Sequence, residues 1–204
     1  VAMSSNNPDL KALVEFWAED TKFCWDGVAA RAEWIALKQI SLGKVTFTNS
    51  NNAAIVTEYD VDYLIPAEQK IGVSVSYSTG TGAKPLTVDI PKALKLGKKL
   101  YGATYKFLFM NVDTFEKFAS QEEVYKKCAS FVQNVVGSQD APDLATVNAY
   151  LAKKKELYRG LQIIVIDQDI TIELADGSRV TENPFEDDVI LFSESKVLGN
   201  TYWK

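Results

Sequence analysis

Four acidic residues lie close together near the C-terminal end of the sequence. Glu182, Glu186, Asp187 and Asp188 fall within a short segment that also contains Asn and Pro and lies between two runs typical of β-strands. Such a cluster could hold a metal ion, or it could supply the neutral and the ionised carboxyl group that acid–base catalysis needs. The alternative is a charged loop that joins two strands. This choice decides whether the chain is interpreted as an enzyme.

The spacing of these acids favours the loop. Glu186, Asp187 and Asp188 are consecutive, so their side chains alternate in direction on an extended backbone. The calcium-loop pattern D-x-[DN]-x-[DN]-G is absent. Pro184 and Phe185 precede the strand pattern "VILF" and are typical of a structural anchor. We therefore expect a structural loop rather than cation binding or catalysis, and we expect neutralising the three consecutive acids to change stability by only about 0.5 kcal/mol.

The residues available for chemistry are few. The sequence contains no histidine, which excludes Ser-His-Asp and Cys-His catalysis. Its two cysteines, Cys24 and Cys128, cannot build a structural zinc site and lie far apart, so we expect them to be reduced in an intracellular setting. The segment "STGTGAKPL" (78–86) lacks the phosphate-loop pattern. We predict no catalytic, cofactor-binding or metal-binding residues, no cofactor and no enzyme activity.

Composition sets further limits on the function. The 204 residues carry a net charge of -5, which argues against a general nucleic-acid binder, although a local basic face is compatible with it. A hydrophobic content of 47% is ordinary for a globular protein. No apolar run reaches the length of a membrane span, and the N-terminus lacks the pattern of a secretory signal. We therefore expect one or two domains and no membrane partner.

The N-terminal region has a helical pattern from Asp9 to Leu42, with Gly43 as its stop and Gly27 as a possible interruption. Its apolar positions follow alternating steps of three and four residues, with Thr21 and Arg31 as the breaks. These positions are Leu10, Val14, Trp17, Thr21, Cys24, Val28, Arg31 and Ile35. We expect the helix tryptophans Trp17, Trp25 and Trp34 to pack against other elements rather than stack on a ligand.

Residues 44–77 are typical of strands. "KVTFT" and "AAIVTEYDVDYLI" are rich in β-branched and aromatic residues, and "KIGVSVSY" alternates apolar with small or polar residues. Two strands alone are not stable, so this ribbon should lie on its own domain or on a neighbouring subunit. We predict an extended ribbon with few contacts to the body of an isolated subunit.

A compact helix is predicted over residues 90–101. Asp89 is its expected N-cap, Pro91 lies in its first turn and Gly102 ends it. Ile90, Leu94, Gly97 and Tyr101 share one face, and Lys92, Lys95 and Lys99 share the opposite face. The lysines are interpreted as a solvated face, with contact to a neighbouring subunit or to packaged nucleic acid as the alternative.

The remaining chain predicts an α+β fold with partly segregated helices and strands. A buried strand at 104–112 precedes two short helices, in which Ser120 and Glu123 have the spacing of a capping box. A helix is expected at 143–158 and is followed by the strands "LQIIVID", "ITIEL" and "DVILF", with an Asp-Gly turn after the second. The first and third of these strands lack polar alternation, so both should be almost fully buried in one sheet.

The order of these segments resembles a known family. The helix ending "ARAEWIALKQISLGKVTF" is followed by "EYDVDYLIP", "PLTVDIPKALKL", "FLFMNVDTFEKFASQEEV" and a terminal run from Gly160 to Trp203. This order is similar to that of tailed-bacteriophage major capsid proteins of the lambda capsid protein E type, which have the Hong Kong 97-like capsid fold. The resemblance extends from about Val28 onward.

The resemblance implies a role for each segment. Residues 1–43 would be the N-terminal helix, 44–77 the extended β-ribbon loop laid across a neighbouring subunit, and 78–103 the spine helix of the peripheral domain. Residues 104–204 would form the axial domain and the start of the return to the peripheral domain. The turns at Asp176-Gly177 and at 181–187 would meet their copies around a symmetry axis, where charge reversal at Glu182 or Arg179 should impair assembly and leave subunit stability unchanged.

The resemblance also implies the function. The chain would be a structural capsid subunit that assembles with itself into pentamers and hexamers of an icosahedral shell around DNA. A scaffolding protein and a maturation protease would be its partners, and packaged DNA would be contacted only non-specifically. It would be found in the virion capsid, and in the host cytoplasm during assembly. Since capsid proteins of this family are longer, the resemblance implies a truncated, trimmed or incomplete chain.

Two alternatives to this function are left open by the sequence. One is an α+β domain that binds a small ligand, with Trp25, Trp34 or Tyr158 lining a pocket. The other is the shell protein of a nanocompartment, which shares the capsid fold. Neighbouring genes would separate a phage from a nanocompartment, because a terminase, a portal and a protease indicate a phage whereas a cargo enzyme indicates a compartment.

Overall fold

The computed structural model describes residues 8–48, 51, 57–79, 82–132, 141–174 and 176–200. The helices are α1 (Pro8–Leu42), α2 (Ile90–Tyr101), α3 (Val112–Ala119), α4 (Glu122–Val132), α5 (Leu144–Lys153) and α6 (Lys155–Tyr158). The strands are β1 (Lys44–Phe47), β2 (Tyr59–Asp62), β3 (Phe107–Asn111), β4 (Gln162–Ile166), β5 (Ile170–Glu173), β6 (Arg179–Glu182) and β7 (Leu191–Ser193). The predicted α+β class is confirmed. None of the helices that the structure describes is long and apolar enough to cross a membrane.

Helix α1 is continuous, as the spacing of its apolar residues predicts. Gly27 does not interrupt it. It ends where Gly43 adopts a left-handed conformation with φ of 74° and donates its N–H to the Gln39 carbonyl oxygen over 2.8 Å. A side chain at Gly43 would be strained in that conformation and would press on Ile65, so glycine suits this position.

Strands β1 and β2 form the predicted antiparallel ribbon. Val45 lies opposite Val61, and Phe47 lies opposite Tyr59, with the two rings stacked at a centroid distance of 4.9 Å. Val45 and Phe47 are buried among residues of α1 and β5, whereas every residue of β2 is exposed. The expectation of few contacts to the body is therefore wrong for β1 and consistent with β2.

Residues 70–77, predicted as a further strand, do not form one. The segment contains bends and leads into a short 3-10 turn at Tyr77–Thr79. Ile71 and Val73 are exposed, and Tyr77 is the buried residue of the segment. Alternating residues form a strand only beside a hydrogen-bonding neighbour, and no described strand pairs with this segment.

A π-helical turn at Pro85–Asp89 leads directly into α2. The prediction of Asp89 as N-cap is therefore wrong: it has helical dihedral angles, and its carboxylate accepts a hydrogen bond from the Tyr77 hydroxyl over 3.0 Å. The preceding turn moves the first N–H groups without an intrahelical acceptor to Leu86 and Thr87. Gly102 ends α2 in the left-handed conformation, as predicted.

The main sheet has three strands in the order β4-β3-β7, with β4 parallel and β7 antiparallel to β3. The prediction that "LQIIVID" and "DVILF" share one sheet is confirmed. The prediction that both are almost fully buried is wrong: Ile163 is the buried residue of β4, and β7 is half-buried throughout. Both are edge strands, whereas four residues of the central strand β3 are buried.

The helices after β3 are placed by caps that differ from the predicted ones. The side chain of Asn111 accepts the Thr114 N–H over 2.9 Å and so begins α3. The predicted capping box of Ser120 and Glu123 is not formed, because Ser120 ends α3 and donates its hydroxyl to the Lys117 carbonyl oxygen. Glu123 instead accepts hydrogen bonds from Leu86 and Thr87.

The helix predicted at 143–158 is divided at Lys154 into α5 and α6. It begins as its sequence suggests, since Asp143 accepts the Thr146 N–H over 3.0 Å. Hydrogen bonds from the Thr146 side chain and from its backbone N–H lower the pKa of Asp143.

Two separate groups of buried side chains form the core. The main cluster lies between the three-stranded sheet and helices α2–α6. Its members include Leu86, Ile90, Leu94, Leu108, Met110, Phe118, Leu151, Tyr158 and Ile163. The second cluster contains Trp34, Val45, Phe47 and Ile170, and so joins α1, β1 and β5. The β5–β6 hairpin turns at Asp176-Gly177, as predicted, and places its inner face in this second cluster.

Candidate assembly surfaces

The acidic turn, residues 182–188, is held against α1 by two of its carboxylates. The Trp34 indole N–H donates to Oε1 of Glu182 over 2.7 Å, and Lys38 Nζ lies 3.0 Å from Oε2 of Glu186. Trp34 is only 4% exposed, so Glu182 satisfies a donor that burial would otherwise leave without a partner. Glu182 is therefore a structural residue of the subunit.

The remaining two acids of the turn contact α3 and the end of β3. The side-chain N–H of Asn111 donates to the carboxylate of Asp187. Lys117 Nζ lies 2.8 Å from Oδ1 of Asp188, and the backbone N–H of Asp188 donates to Thr114 Oγ1 over 2.9 Å. The hydrogen bond that Lys117 donates to the Asp188 carboxylate raises the pKa of Lys117.

The acidic turn therefore joins α1 to α3 and does not gather its charges at one point. Its four carboxylates have four different partners. Within the described residues, no group of three or more His, Cys, Asp or Glu is placed to hold a metal ion. Glu186 and Asp188 form partly exposed ion pairs, each worth roughly 0–1 kcal/mol, so the small effect expected from neutralising the consecutive acids stays a prediction.

Arg31 connects the acidic turn to the second core cluster. Its guanidinium carbon lies 4.4 Å from the centroid of the Trp34 ring and 5.9 Å from that of Phe47. Burial lowers the pKa of Arg31, and the nearby charge of Glu182 opposes that shift. A cation over aromatic faces is favourable, which explains why arginine stands where the apolar spacing of α1 is interrupted.

Sequence reasoning missed the role of Glu123. Its carboxylate accepts the backbone N–H groups of Leu86 and Thr87 over 2.9 and 3.2 Å, and it also accepts the Thr87 hydroxyl. It therefore caps the π-helical turn before α2 from a helix far along the chain. A local spacing rule assigned this glutamate to its own helix, and no sequence signal identifies so distant a partner.

The three candidates for lining a ligand pocket do not lie together. Trp25 is 72% exposed on α1, and Trp34 belongs to the second core cluster. Tyr158 is buried in the main cluster, where its hydroxyl donates to the Leu86 carbonyl oxygen over 3.0 Å. Burial raises the pKa of Tyr158. The structure thus gives the ligand-binding alternative no common site.

An open groove of about 520 Å³ lies between the end of α1, residues 65–72, α2 and β7. Its walls include Ile40, Ile65, Leu96 and Phe192, and Asp188 at one side is paired with Lys117. Because the walls are apolar and the nearby carboxylate is already paired, the groove is better suited to packing than to a reaction.

The exposed half of α1, defined as residues 11–29, makes no buried contact with the rest of the described chain, whereas its packed half, residues 30–42, lies on the second core cluster. Seven large apolar side chains of the exposed half face solvent. They are Leu13, Val14, Phe16, Trp17, Phe23, Trp25 and Val28. Packing of the helix tryptophans is therefore confirmed for Trp34 and wrong, within the subunit, for Trp17 and Trp25.

Two further surfaces are open in the subunit. Lys92, Lys95 and Lys99 are exposed along α2, as predicted. The outer edge of β2 has no strand beside it among the described residues, and Tyr59 and Val61 on this strand are exposed. An unpaired strand edge and an apolar helix face are both suited to contact with another protein chain.

Comparison with known proteins identifies the fold. No protein-family model matches the chain, and no curated protein matches it in sequence. Its structure is similar to the crystal structure of a protein provisionally assigned as the capsid protein of a prophage in Escherichia coli CFT073, with a TM-score of 0.53 and 16% identity. The similarity covers 94% of this chain and 53% of that one. The chain has a phage capsid-like fold.

This finding confirms the resemblance to capsid proteins at the level of the fold. The chain spans about half the length of the capsid protein that it matches. At 16% identity this similarity shows the fold alone.

Proposed function

We propose that the chain is a structural subunit of a phage or prophage shell, a major capsid protein of the Hong Kong 97-like type. It would assemble with itself into pentamers and hexamers of an icosahedral shell around DNA. The observation that carries this proposal is the fold similarity to a prophage capsid protein over 94% of the chain. The exposed apolar and strand-edge surfaces support it, because repeated self-assembly needs such surfaces on every copy.

In this proposal the four segments of the chain keep separate roles. Residues 1–43 provide the N-terminal helix, 44–77 the extended ribbon loop, 78–103 the spine helix and 104–204 the axial domain with the start of the return to the peripheral domain. The bare strand β2 supports a loop that reaches a neighbouring subunit. The β5–β6 hairpin packs on α1 and β1, so the last segment also stabilises the first two.

The mechanism is the burial of modest interfaces many times over. Each contact is weak alone, and closed geometry lets many contacts form together. Nothing in this mechanism needs an active site, which agrees with the use of the acidic turn as an internal clamp. The α2 lysines would meet packaged DNA non-specifically, and a scaffolding protein and a maturation protease would act during assembly in the host cytoplasm before the subunit enters the virion.

The proposal is tested by expressing the full-length protein with its neighbouring genes and imaging the products by electron microscopy. Closed particles of uniform size containing this chain are expected. If no particles form in the presence of the scaffold and protease genes, the shell function is wrong. Particles that enclose an enzyme from a neighbouring gene, with no terminase or portal gene nearby, would identify a nanocompartment instead.

Arg179 and Glu182 provide a matched pair for this experiment. Arg179 is exposed, and its Nε lies 3.8 Å from Oε2 of Glu173, so Arg179→Glu should impair particle formation and leave subunit stability nearly unchanged. Glu182→Lys should instead destabilise the subunit, because it removes the acceptor of the buried Trp34 indole. If Arg179→Glu forms normal particles at both low and high salt, the β5–β6 turn does not contribute to the assembly contacts.

A further inference from the structure

The exposed half of α1 has a surface that the described part of the chain leaves without a partner. At 1.5 Å per residue this half is about 28 Å long. Trp17 is 68% exposed and Trp25 is 72% exposed. Aromatic side chains bury roughly 150–250 Å² each, so Phe16, Trp17, Phe23 and Trp25 alone leave on the order of 500 Å² open to water. An exposed apolar surface of this size is often a site of contact with another protein.

The spacing of the exposed residues specifies what can cover them. Val14, Trp17, Thr21, Cys24 and Val28 follow steps of three, four, three and four, which is a mean period of 3.5 residues. This period places one row of side chains, the seam, along a straight face that another helix of the same period can meet over its whole length. Thr21 fits such a contact, because its hydroxyl donates to the Trp17 carbonyl oxygen over 2.9 Å and needs no water.

The seam continues into the part of α1 that the subunit covers. Four residues after Arg31 the same steps reach Ile35, which packs against the second core cluster. Ile35 is only partly buried, and Trp34, the buried residue of the packed half, lies about 120° from the seam on the side of Phe16 and Phe23. That side of the helix is therefore buried by its own chain at one end and bare at the other. A second protein surface could cover this helix face beyond the point where the subunit's own core ends.

The apolar surface is wider than a single partner helix can cover. Phe16 and Phe23 lie about 130° from the seam at 100° per residue, and Leu13 lies between them and the seam. Asp20 also lies between them and the seam, so the apolar surface consists of two strips. One is about 120° wide, from Leu13 to Trp25, against roughly 100° for a helix with one neighbour, and the other is formed by Phe16 and Phe23. The remaining strip carries Glu15, Glu19, Lys22 and Asp26, which can stay in water. These features are typical of a helix in a bundle of more than two members.

We propose that the exposed half of α1 binds the same half of other copies of this chain, forming a helical bundle of more than two members. Three observations favour copies of the chain as the occupant. The partner must be a helix with a 3.5-residue apolar period, and the exposed half of α1 is such a helix. The aromatic residues alone leave on the order of 500 Å² open, which approaches the roughly 800 Å² that each partner contributes to a stable interface. The shell function, on which this inference partly rests, supplies many copies at once.

The experiment is sedimentation velocity of the full chain over a range of concentrations, with two single variants. Trp17→Glu places a charge in the seam, and Ala12→Glu places the same charge on the polar strip. Wild type and Ala12→Glu should associate beyond the dimer as concentration rises, and Trp17→Glu should lower the association constant at least about tenfold. Thermal unfolding of the dilute subunit should be similar in all three, since both positions are exposed.

Three outcomes would overturn the inference: a wild type that stays monomeric up to its solubility limit, association that stops at the dimer, or equal association of the two variants. The shell function is distinguished by co-expression with the neighbouring genes. If Trp17→Glu forms normal particles there, the α1 bundle is wrong and the shell function stands. If the wild type associates through α1 but never forms particles, the bundle stands and the shell function is wrong.

Discussion

The two halves of α1 carry similar residues and have opposite surroundings. In the packed half, Trp34 lies over Arg31, buries its ring beside Val45 and donates its indole N–H to Glu182. In the exposed half, Trp17 and Trp25 face water along a continuous helix. The apolar steps of three and four run through both halves. This comparison shows that a sequence can require a face to be buried without stating which chain will bury it.

The largest expected difference is between the reactivity of the exposed thiol of Cys24 and that of the buried thiol of Cys128. Cys24 lies on the exposed half of α1, and Cys128 is buried in the main core, where burial raises its pKa to about 11 from an ordinary 9.0. The shift alone lowers the thiolate fraction of Cys128 about 100-fold at pH 8, and the reagent must also reach it. A chromogenic disulfide reagent should therefore label one thiol at once in the dilute subunit and the second only on unfolding. Equally rapid labelling of both would show that the main core is not closed.

Trp34→Ala should destabilise the subunit by about 3 kcal/mol or more, because it empties a buried site and leaves Glu182 without its donor. Trp17→Ala should change the free energy of unfolding by about 0.5 kcal/mol or less, since the side chain is exposed. Urea denaturation of dilute protein, followed by circular dichroism, measures both. Similar losses for the two variants would mean that the exposed half is covered within the subunit.

The smallest expected difference concerns two ion pairs of α1. Lys38 and Glu186, with side chains 20% and 39% exposed, should couple by about 1 kcal/mol in a double-mutant cycle with Lys38→Met and Glu186→Gln. Lys11 and Glu15, at 77% and 68% exposure and 3.7 Å apart, should couple by less than about 0.5 kcal/mol. A coupling near zero for the first pair would mean that the acidic turn does not clamp α1.

Local rules predicted the elements whose cause is local. The span of α1, the stops at Gly43 and Gly102, and the Asp-Gly hairpin depend on a few adjacent residues and are confirmed. The failures have distant causes. Residues 70–77 alternate like a strand but have no described neighbour to pair with, and Glu123 caps a turn that precedes it by many residues.

The sequence predicts the acidic turn as a structural loop, and its contacts with α1, β3 and α3 agree with that interpretation. What the sequence did not reveal is that its acids are paired. Lys38 and Lys117 lie far from the turn along the chain, on α1 and α3, so no spacing rule brings them together. The exposure of Trp17 and Trp25 was missed for a related reason, because apolar spacing indicates burial and does not distinguish the subunit from its assembly.

Hydrogen–deuterium exchange of α1, compared between the dilute subunit and the assembled protein, tests the account most directly. Amide exchange reports local opening, so peptides from residues 11–29 should exchange faster than those from 30–42 in the dilute subunit. On assembly the exchange of 11–29 should slow to that of 30–42, and that of 30–42 should hardly change. If 11–29 is already protected in a monomer, or remains unprotected in assembled particles, the claim that other copies cover this half is contradicted.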